Sequence, residues 1–411
     1  MKVKTQMKIR VSNILFSLMV LIIICECNGF RLLKLDDNIY KSIYLITIIG
    51  MLLICFIHID IIKICRASGE FIYYYSIVMF LFLIFEYVYT THLYGSLQTA
   101  YEYANYNKCY AFVFLAIPLF YILIIQDNFE KLMSIVILLA TITLSLMLLH
   151  ALCYKWYQIE ILNISVYAKK LIRNDRFRMW DLFSLEGLAI IYGAYRILFV
   201  KRKKVTYIIQ TVICVAALVY VEQTRMMLIA LAASILVMFF MKPCKTANGI
   251  LAKGLVIATV GIVNAALVIP KLIISLSRGN SIANRLIEIQ FVYNVLHNQG
   301  MLGLGIISYN LQSSLYNHGI YSRVFLDDIG LIGYMARAGI WSVVLFIVPM
   351  IRMLWILLNA YKNEFTIFLW SIYIYLIITS STLFVLDNQR ILMWPFCLSL
   401  FEFCNKKYNR K

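Results

Sequence analysis

The chain has 411 residues, 63% of them hydrophobic and 14% charged, with a formal net charge of +18 and a mean hydropathy of +0.83. Soluble domains use charged residues at about 25%, so this composition excludes an ordinary soluble enzyme and predicts an all-α polytopic integral membrane protein. The basic balance is no nucleic-acid signature in such a chain, because cytoplasmic loops of membrane proteins carry an excess of Lys and Arg on topological grounds.

A span needs about 20 consecutive apolar residues. Windows of that kind lie at 11–26, 40–58, 71–89, 110–126, 131–153, 184–200, 205–222, 226–241, 250–275, 338–359, 365–383 and 391–404. They predict about 12 transmembrane helices in one integral membrane domain covering 1–411. The opening MKVKTQMKIR with its apolar run to Cys25 imitates a secretory signal, but with so many later spans it reads as an uncleaved first helix. A cytoplasmic N-terminus puts Lys2, Lys4, Lys8, Arg10, Lys63, Arg66, the KRKK of 201–204, Lys242, Lys245, Lys362, Lys406, Lys407, Arg410 and Lys411 inside. Alternate connections thus obey the positive-inside rule, and both termini are expected in the cytoplasm. The ten cysteines are scattered through apolar stretches with no CxxC pair and no Cys/His cluster at metal spacing, which reads as small core residues and no metal site. Cys25 and Cys27 are too close in sequence for an easy bridge.

The outer face receives two long connections, about 154–183 and about 276–337. The first contains KKLIRNDRFR, with Lys169, Lys170, Arg173, Arg176 and Arg178. Basic residues on that side reflect either the tolerance of long loops or an anionic ligand at the outer leaflet. Ion-coupled transporters keep ionisable groups near the bilayer midplane. Here Glu86, Glu186, Glu222, Arg225 and Lys271 are read at the outer ends of their helices, whereas Arg196, Lys253 and Arg352 lie near inner ends and are expected to snorkel.

In the second connection Leu286, Ile289, Tyr293 and Leu296 recur at helical spacing, which predicts a helix over 282–296 lying along the interface. Gly300, Gly303 and Gly305 break it. Such glycines permit either a plain turn or close approach of backbone to a ligand. Arg278, Arg285 and Arg323 surround them; guanidinium groups clamp phosphate oxygens in bidentate fashion or anchor to head groups. Further on, LDDIGLIGYMARAGIW (326–341) leads into a stretch to Lys362 that exceeds one span by about ten residues. The excess predicts a short interfacial or re-entrant helix from Asp328 to Ala338, capped by Asp327 or Asp328, and a span starting near Gly339 with Trp341 in the outer aromatic belt.

This arrangement resembles the O-antigen polymerase and ligase superfamily of bacterial cell-surface glycan enzymes, the Wzy-like proteins, over residues 205–360. VEQTRMMLIAL (221–231) is similar to the family's polar-Ser/Thr-Arg motif at the outer start of a span. SRGNSIANRLIEIQFVYNVLHNQGMLGLG (277–305) resembles its external loop, with Arg285 heading an amphipathic helix and Gly303 and Gly305 forming the following G-x-G. DIGLIGYMARAGIWSVVLF (328–346) resembles the segment where a polar residue precedes Gly-Ile and the next span. Ligases usually carry histidine where this chain has Asp328, so the resemblance favours polymerase over ligase.

The resemblance implies polymerisation of undecaprenyl diphosphate-linked oligosaccharides into an O-antigen, capsule or exopolysaccharide at the external leaflet of the bacterial plasma membrane. Ligase-type transfer to another acceptor, or a flippase for the same lipid, are the alternatives. A flippase, a chain-length regulator and membrane lipid are the implied partners, with no nucleic acid, metal or other cofactor. On that model Arg225 and Arg285, with Arg337 and Arg278 behind them, stabilise the departing diphosphate. Asp328 takes the acceptor's proton, with Asp327, Glu222 and His318 as further candidates for that base. The alternative role for Asp328 is a plain helix cap. KKLIRNDRFR is expected to attract the charged carrier or an acidic glycan.

Overall fold

The computed structural model describes residues 2–27, 37–58, 70–159, 161, 172–173, 176–177, 183–200, 203–222, 224–243, 280–298, 301–307, 326–382, 384–386 and 390–408. The chain forms α1 (Lys2–Glu26), α2 (Asp37–His58), α3 (Glu70–Tyr94) and the short α4 (Ala100–Tyr106). Next, α5 runs without a break through Lys108–Ala111, a 3₁₀ turn Phe112–Leu115 and Ala116–Gln126, and α6 spans Phe129–Tyr157. After them come α7 (Glu186–Phe199), α8 (Lys204–Ala217) with a π-helical turn at Leu218–Glu222, and α9 (Arg225–Met241). The C-terminal part holds α10 (Asn280–Asn298), α11 (Gly330–Ala338), α12 (Val348–Asn359), α13 (Glu364–Thr379) and α14 (Met393–Tyr408). The non-helical pairing among the described residues is a two-residue antiparallel contact, Ile172–Arg173 against Arg176–Phe177.

Every window read as a span coincides with a helix except 250–275, which lies outside the described residues together with Lys253 and Lys271. Glu70–Tyr94, Lys108–Ile125, Phe129–Tyr157 and Lys204–Val221 are long and apolar enough to cross a membrane. Shorter apolar helices at Val11–Glu26, Ser42–Ile57, Met226–Met241, Val343–Asn359 and Glu364–Thr379 accompany them. The bundle's outer surface is itself apolar, with Ile46, Phe56, Phe80, Val88, Val212 and Ile351 all exposed. That pattern suits a hydrocarbon surrounding. Helix ends carry local stop signals: Asp127 and Gln158 take left-handed backbone (φ 50° and 57°) after α5 and α6. Asn363 caps α13 by accepting from the Thr366 N–H at 2.8 Å.

The centre of the bundle is α14. Every residue from Met393 to Cys404 is buried, the mark of a helix surrounded on all sides. It packs against α3, α5, α12 and α13. Ser399 Oγ donates to the Ala116 carbonyl at 2.9 Å, and Trp394 Nε1 donates to the Tyr75 hydroxyl at 2.9 Å. Tyr75 in turn donates to the Leu345 carbonyl at 2.6 Å. Leu345 lies in a π-helical turn, Val343–Ile347, where the regular ladder is interrupted and a carbonyl can look outward. None of the described cysteines forms a disulfide, and apart from the half-buried Cys153 they are buried, as small core residues should be.

Of the three cations expected to snorkel, Arg196 and Arg352 have carboxylate partners, and Lys253 lies outside the described residues. Arg196 pairs with Glu130 at 3.1 Å, and Arg352 makes a two-point contact with Glu402 at 2.8 and 3.2 Å. Lys407 bonds Asp127 at the same end of the bundle. The partners come from helices remote in sequence, so one helix read alone shows only an unmatched charge. Glu402 is 2% exposed, so Arg352→Met strands a buried carboxylate and should cost about 3–5 kcal/mol. In detergent this will appear as a lower Tm, and the double variant Arg352→Met/Glu402→Leu should recover most of it. A double variant no more stable than the single one removes the pairing as the cause.

Candidate functional site

The site is built around the segment 301–307, MLGLGII, which is non-helical yet largely buried. Gly303 and Gly305 have φ of +80° and +78°, in the region L side chains rarely adopt. A Cβ on Gly303 would lie 2.6 Å from the Arg337 carbonyl oxygen and 2.7 Å from that of Ala336. At Gly303 the close approach is therefore to the chain's own backbone, whereas at Gly305 it is to α3, with Thr90 Cγ2 2.6 Å from where a Cβ would lie. Leu304 N–H donates to Ala336 O at 2.8 Å and Gly305 N–H to Arg337 O at 2.9 Å. Those carbonyls belong to the last turn of α11, where a helix leaves its acceptors without intrahelical partners. The segment thus serves as the C-terminal cap of α11, and Ile340 N–H closes the connection on Met301 O at 2.9 Å.

The opposite side of the segment is held by α3. Tyr89 donates to Gly303 O at 2.8 Å and Tyr94 to Leu304 O at 2.7 Å. Glu86 Oε2 accepts from Ile306 N–H at 3.0 Å, and Asn107 Nδ2 donates to Ile306 O at 3.4 Å. Glu86 is fully buried, and α3 continues to Tyr94, so this carboxylate sits two turns inside its helix and not at the end. The spacing 86, 89, 90, 94 puts Glu86, Tyr89, Thr90 and Tyr94 on one face. That polar stripe in an apolar helix was the available signal for the latch, and sequence reasoning passed over it.

The expected short helix is present as α11, and Gly339 (φ +55°) separates it from the helical turns that begin at Trp341. Its capping differs from expectation. The N-cap position is Ile329, with no side-chain cap hydrogen bond, because Leu326–Ile329 forms a 3₁₀ turn that displaces Asp327 and Asp328 from it. Gly330 (φ +52°) lets α11 start against the end of α13, with Leu331 N–H on Ser380 O at 2.8 Å. The amphipathic helix expected over 282–296 is α10, and of its expected stripe Leu296 alone packs against the small core beside it. Leu286, Ile289 and Tyr293 are exposed, whereas Phe291, Val292 and Val295 pack with Leu326, Ile329 and Ala336 in a small separate core. α10 is apolar on two faces, and only the second one meets protein.

The structure therefore gathers Gly303 and Gly305, the last turn of α11 with Arg337, the turn bearing Asp327 and Asp328, and the helix bearing Arg285. Arg285 itself is exposed. Arg225 opens α9 directly after the π-helical turn that ends at Glu222, and α9 packs on α13 and α7. The side chains of Glu222, Arg225, Asp327 and Asp328 lie outside the described residues, as do Arg278, His318, Arg323, Lys169, Lys170 and Arg178. Arg173 and Arg176 face each other across the short pairing. Glu186 is buried at the first residue of α7.

Arg337 is half-buried and lines a cavity of about 30 Å³ with Tyr106, Tyr110, Tyr334 and Phe384. Tyr334 stacks on Phe384 at 4.2 Å and faces Tyr110 at 6.2 Å. Burial holds its hydroxyl protonated, well above the usual phenol range. No protein-family model matches the chain, and no curated protein matches it.

Glu86→Leu removes the acceptor of the buried Ile306 N–H and should cost about 1–3 kcal/mol. Glu86→Gln keeps an acceptor oxygen and should retain most of the stability. Thermal unfolding of both in detergent decides it, since equal Tm values for Leu and Gln would deny the latch any role.

Proposed function

We propose that the chain is a multi-pass protein of the bacterial plasma membrane, with about 12 spans, both termini cytoplasmic and two external loops, that polymerises lipid-linked oligosaccharides. The reaction moves a growing glycan from undecaprenyl diphosphate to a hydroxyl of the next repeat unit. The observation that carries the reading is the convergence of the G-x-G segment, Arg337, the Asp327–Asp328 turn and the Arg285 helix at one end of an apolar bundle. The paired charges Arg196–Glu130 and Lys407–Asp127 lie near helix ends on the other side.

A diphosphate is already a good leaving group, so the transfer asks the protein for two things. Preorganised cations must stabilise the charge that develops on the departing oxygens, a role assigned to Arg225 and Arg285 with Arg337 and Arg278 in support. A carboxylate must accept the acceptor hydroxyl's proton, a role assigned to Asp328 ahead of Asp327, Glu222 and His318. The 3₁₀ turn leaves Ile329 at the cap of α11, which favours the base over the capping role for Asp328. Transport of the same lipid would need a polar path along the bundle axis. The bundle's centre is instead filled by α14, buried from Met393 to Cys404, which weighs against it.

Arg225→Ala and Arg285→Ala should each shorten the polymer made in cells by removing transition-state stabilisation. Unchanged chain lengths at normal expression would sink the diphosphate role. Asp328→Asn should be more damaging than Asp327→Asn; full activity in both would remove the base assignment. Transfer in vitro from a polyprenyl diphosphate oligosaccharide separates enzyme from transporter.

A further inference from the structure

Arg390 belongs to no motif, and none of the roles assigned so far uses it. It stands three residues before α14, 7% exposed, with its guanidinium carbon 5.6 Å from the centre of the Tyr375 ring. Its Nη1 is sealed from solvent without a hydrogen-bond partner, and among the described residues Arg390 forms no ion pair. Arg196 and Arg352, by contrast, each have a carboxylate. A ring face offsets only part of the cost of taking a cation out of water, and a guanidinium has no neutral form to retreat to. A buried cation in this condition asks for an anion.

The surroundings narrow the choice. Tyr375 stands between Arg390 and the start of α7, its hydroxyl filling the place that a Cβ on Gly187 would take. Ser184, two residues before α7, is 8% exposed, and its Oγ is likewise buried without a partner. The buried hydroxyls of Ser76, Ser234, Ser371 and Thr379 each donate to the carbonyl four residues back. Arg390 and Ser184 both donate, so an acceptor is what both lack. The cap residue of α7, Leu185, makes no side-chain bond, which leaves the positive end of that helix facing the same place. Glu186 is buried there too, and it forms no ion pair with Arg390.

A further cation starts at this end. α9 packs along α13 and α7, and Lys242 beyond its far end donates to Leu198 O on α7. Its first residue, Arg225, therefore lies at the end of α7 that begins with Glu186. Two arginines at one helix start favour a ligand with more than one negative charge.

We propose that Arg390 and the Ser184 hydroxyl, beside the start of α7, form a binding site for a phosphoryl group of a diphosphate. The inference rests on the reading of the chain as an enzyme of lipid-linked glycans, and it adds a cation from the residues just before α14. The diphosphate is either lipid-borne or free, and the test separates these sources.

The full-length protein in detergent is titrated with inorganic diphosphate, geranylgeranyl diphosphate and geranylgeraniol, with calorimetry reading binding and Tm followed in parallel. Both diphosphates should bind, and geranylgeraniol should not displace the inorganic one. Tighter binding of the lipid form identifies a lipid-borne group and equal affinities a free one, and either supports the site. Arg390→Met should weaken both by about ten- to a hundredfold, the worth of one charge-assisted hydrogen bond, and Ser184→Ala by up to about tenfold. Because the charge of Arg390 is unmatched in the fold, Arg390→Met should leave Tm without diphosphate unchanged or higher; an arginine that only holds the fold predicts a fall.

If the wild type binds neither diphosphate, or Arg390→Met binds them as the wild type does, the site is refuted. Asp387, three positions earlier, lies outside the described residues. An equal fall in Tm in Arg390→Met and in Asp387→Asn or Glu186→Gln would give the arginine a partner within the chain and also overturn it. Diphosphate binding that depends on Arg390, with normal polymer in the Arg225 and Arg285 variants, would sink the polymerase reading and leave the site standing. Full transfer in vitro by Arg390→Met at wild-type affinity would do the opposite.

Discussion

Backbone that is not helical can sit among apolar helices only if protein satisfies its polar groups, because nothing else nearby will. The segment 301–307 meets that condition with unusual economy. Its N–H groups at 304 and 305 go to the exposed carbonyls of α11, its N–H at 306 to Glu86, and its carbonyls at 303, 304 and 306 to Tyr89, Tyr94 and Asn107. Two unmet needs, a helix end and a loop, cancel each other. The position of Arg337, the break at Gly339 and the start of the helical turns at Trp341 all follow from that arrangement.

Much of the framework could be read from residue counts. Long apolar windows become helices because no competing local structure buries such runs, and the excess of residues between Asp328 and Lys362 reappears as α11 plus a helix that carries a π-helical turn. What could not be read is pairing between elements. Arg352 looked solvated because Glu402 lies fifty positions away in the chain. α14 looked like any other apolar helix, although it is the one with no free face. In α10 the more regular stripe, Leu286, Ile289 and Tyr293, is the open one; periodicity counts apolar residues without saying which set meets protein. At the site, the glycines 303 and 305 were recognisable as positions of close approach, but the partners are backbone from 336 and 337 at Gly303 and the Thr90 side chain at Gly305.

The candidate chemistry divides along the same line. Residue types on the outer connections suggested cations for a diphosphate and a carboxylate for a proton, and these remain assignments by type and place. The residues whose geometry is specific, Glu86, Tyr89, Tyr94, Tyr334 and Asn107, carried no motif. They are polar side chains in apolar helices, where each needs a reason to be present. Four of them are spent on holding a loop. Tyr334 is the exception, spent instead on the aromatic stack with Phe384 and Tyr110.

The two ends of the bundle are joined by different forces. One is tied by ion pairs such as Arg196–Glu130 and Lys407–Asp127, whose strength falls as counter-ions accumulate. At the other, phenol hydroxyls and peptide groups make the joints, and the carboxylate among them, Glu86, is sealed from solvent. Joints of that second kind are nearly indifferent to ionic strength. If the site end faces the medium, the protein keeps its salt-sensitive fastenings where the cell regulates the solution and its salt-tolerant ones where it does not.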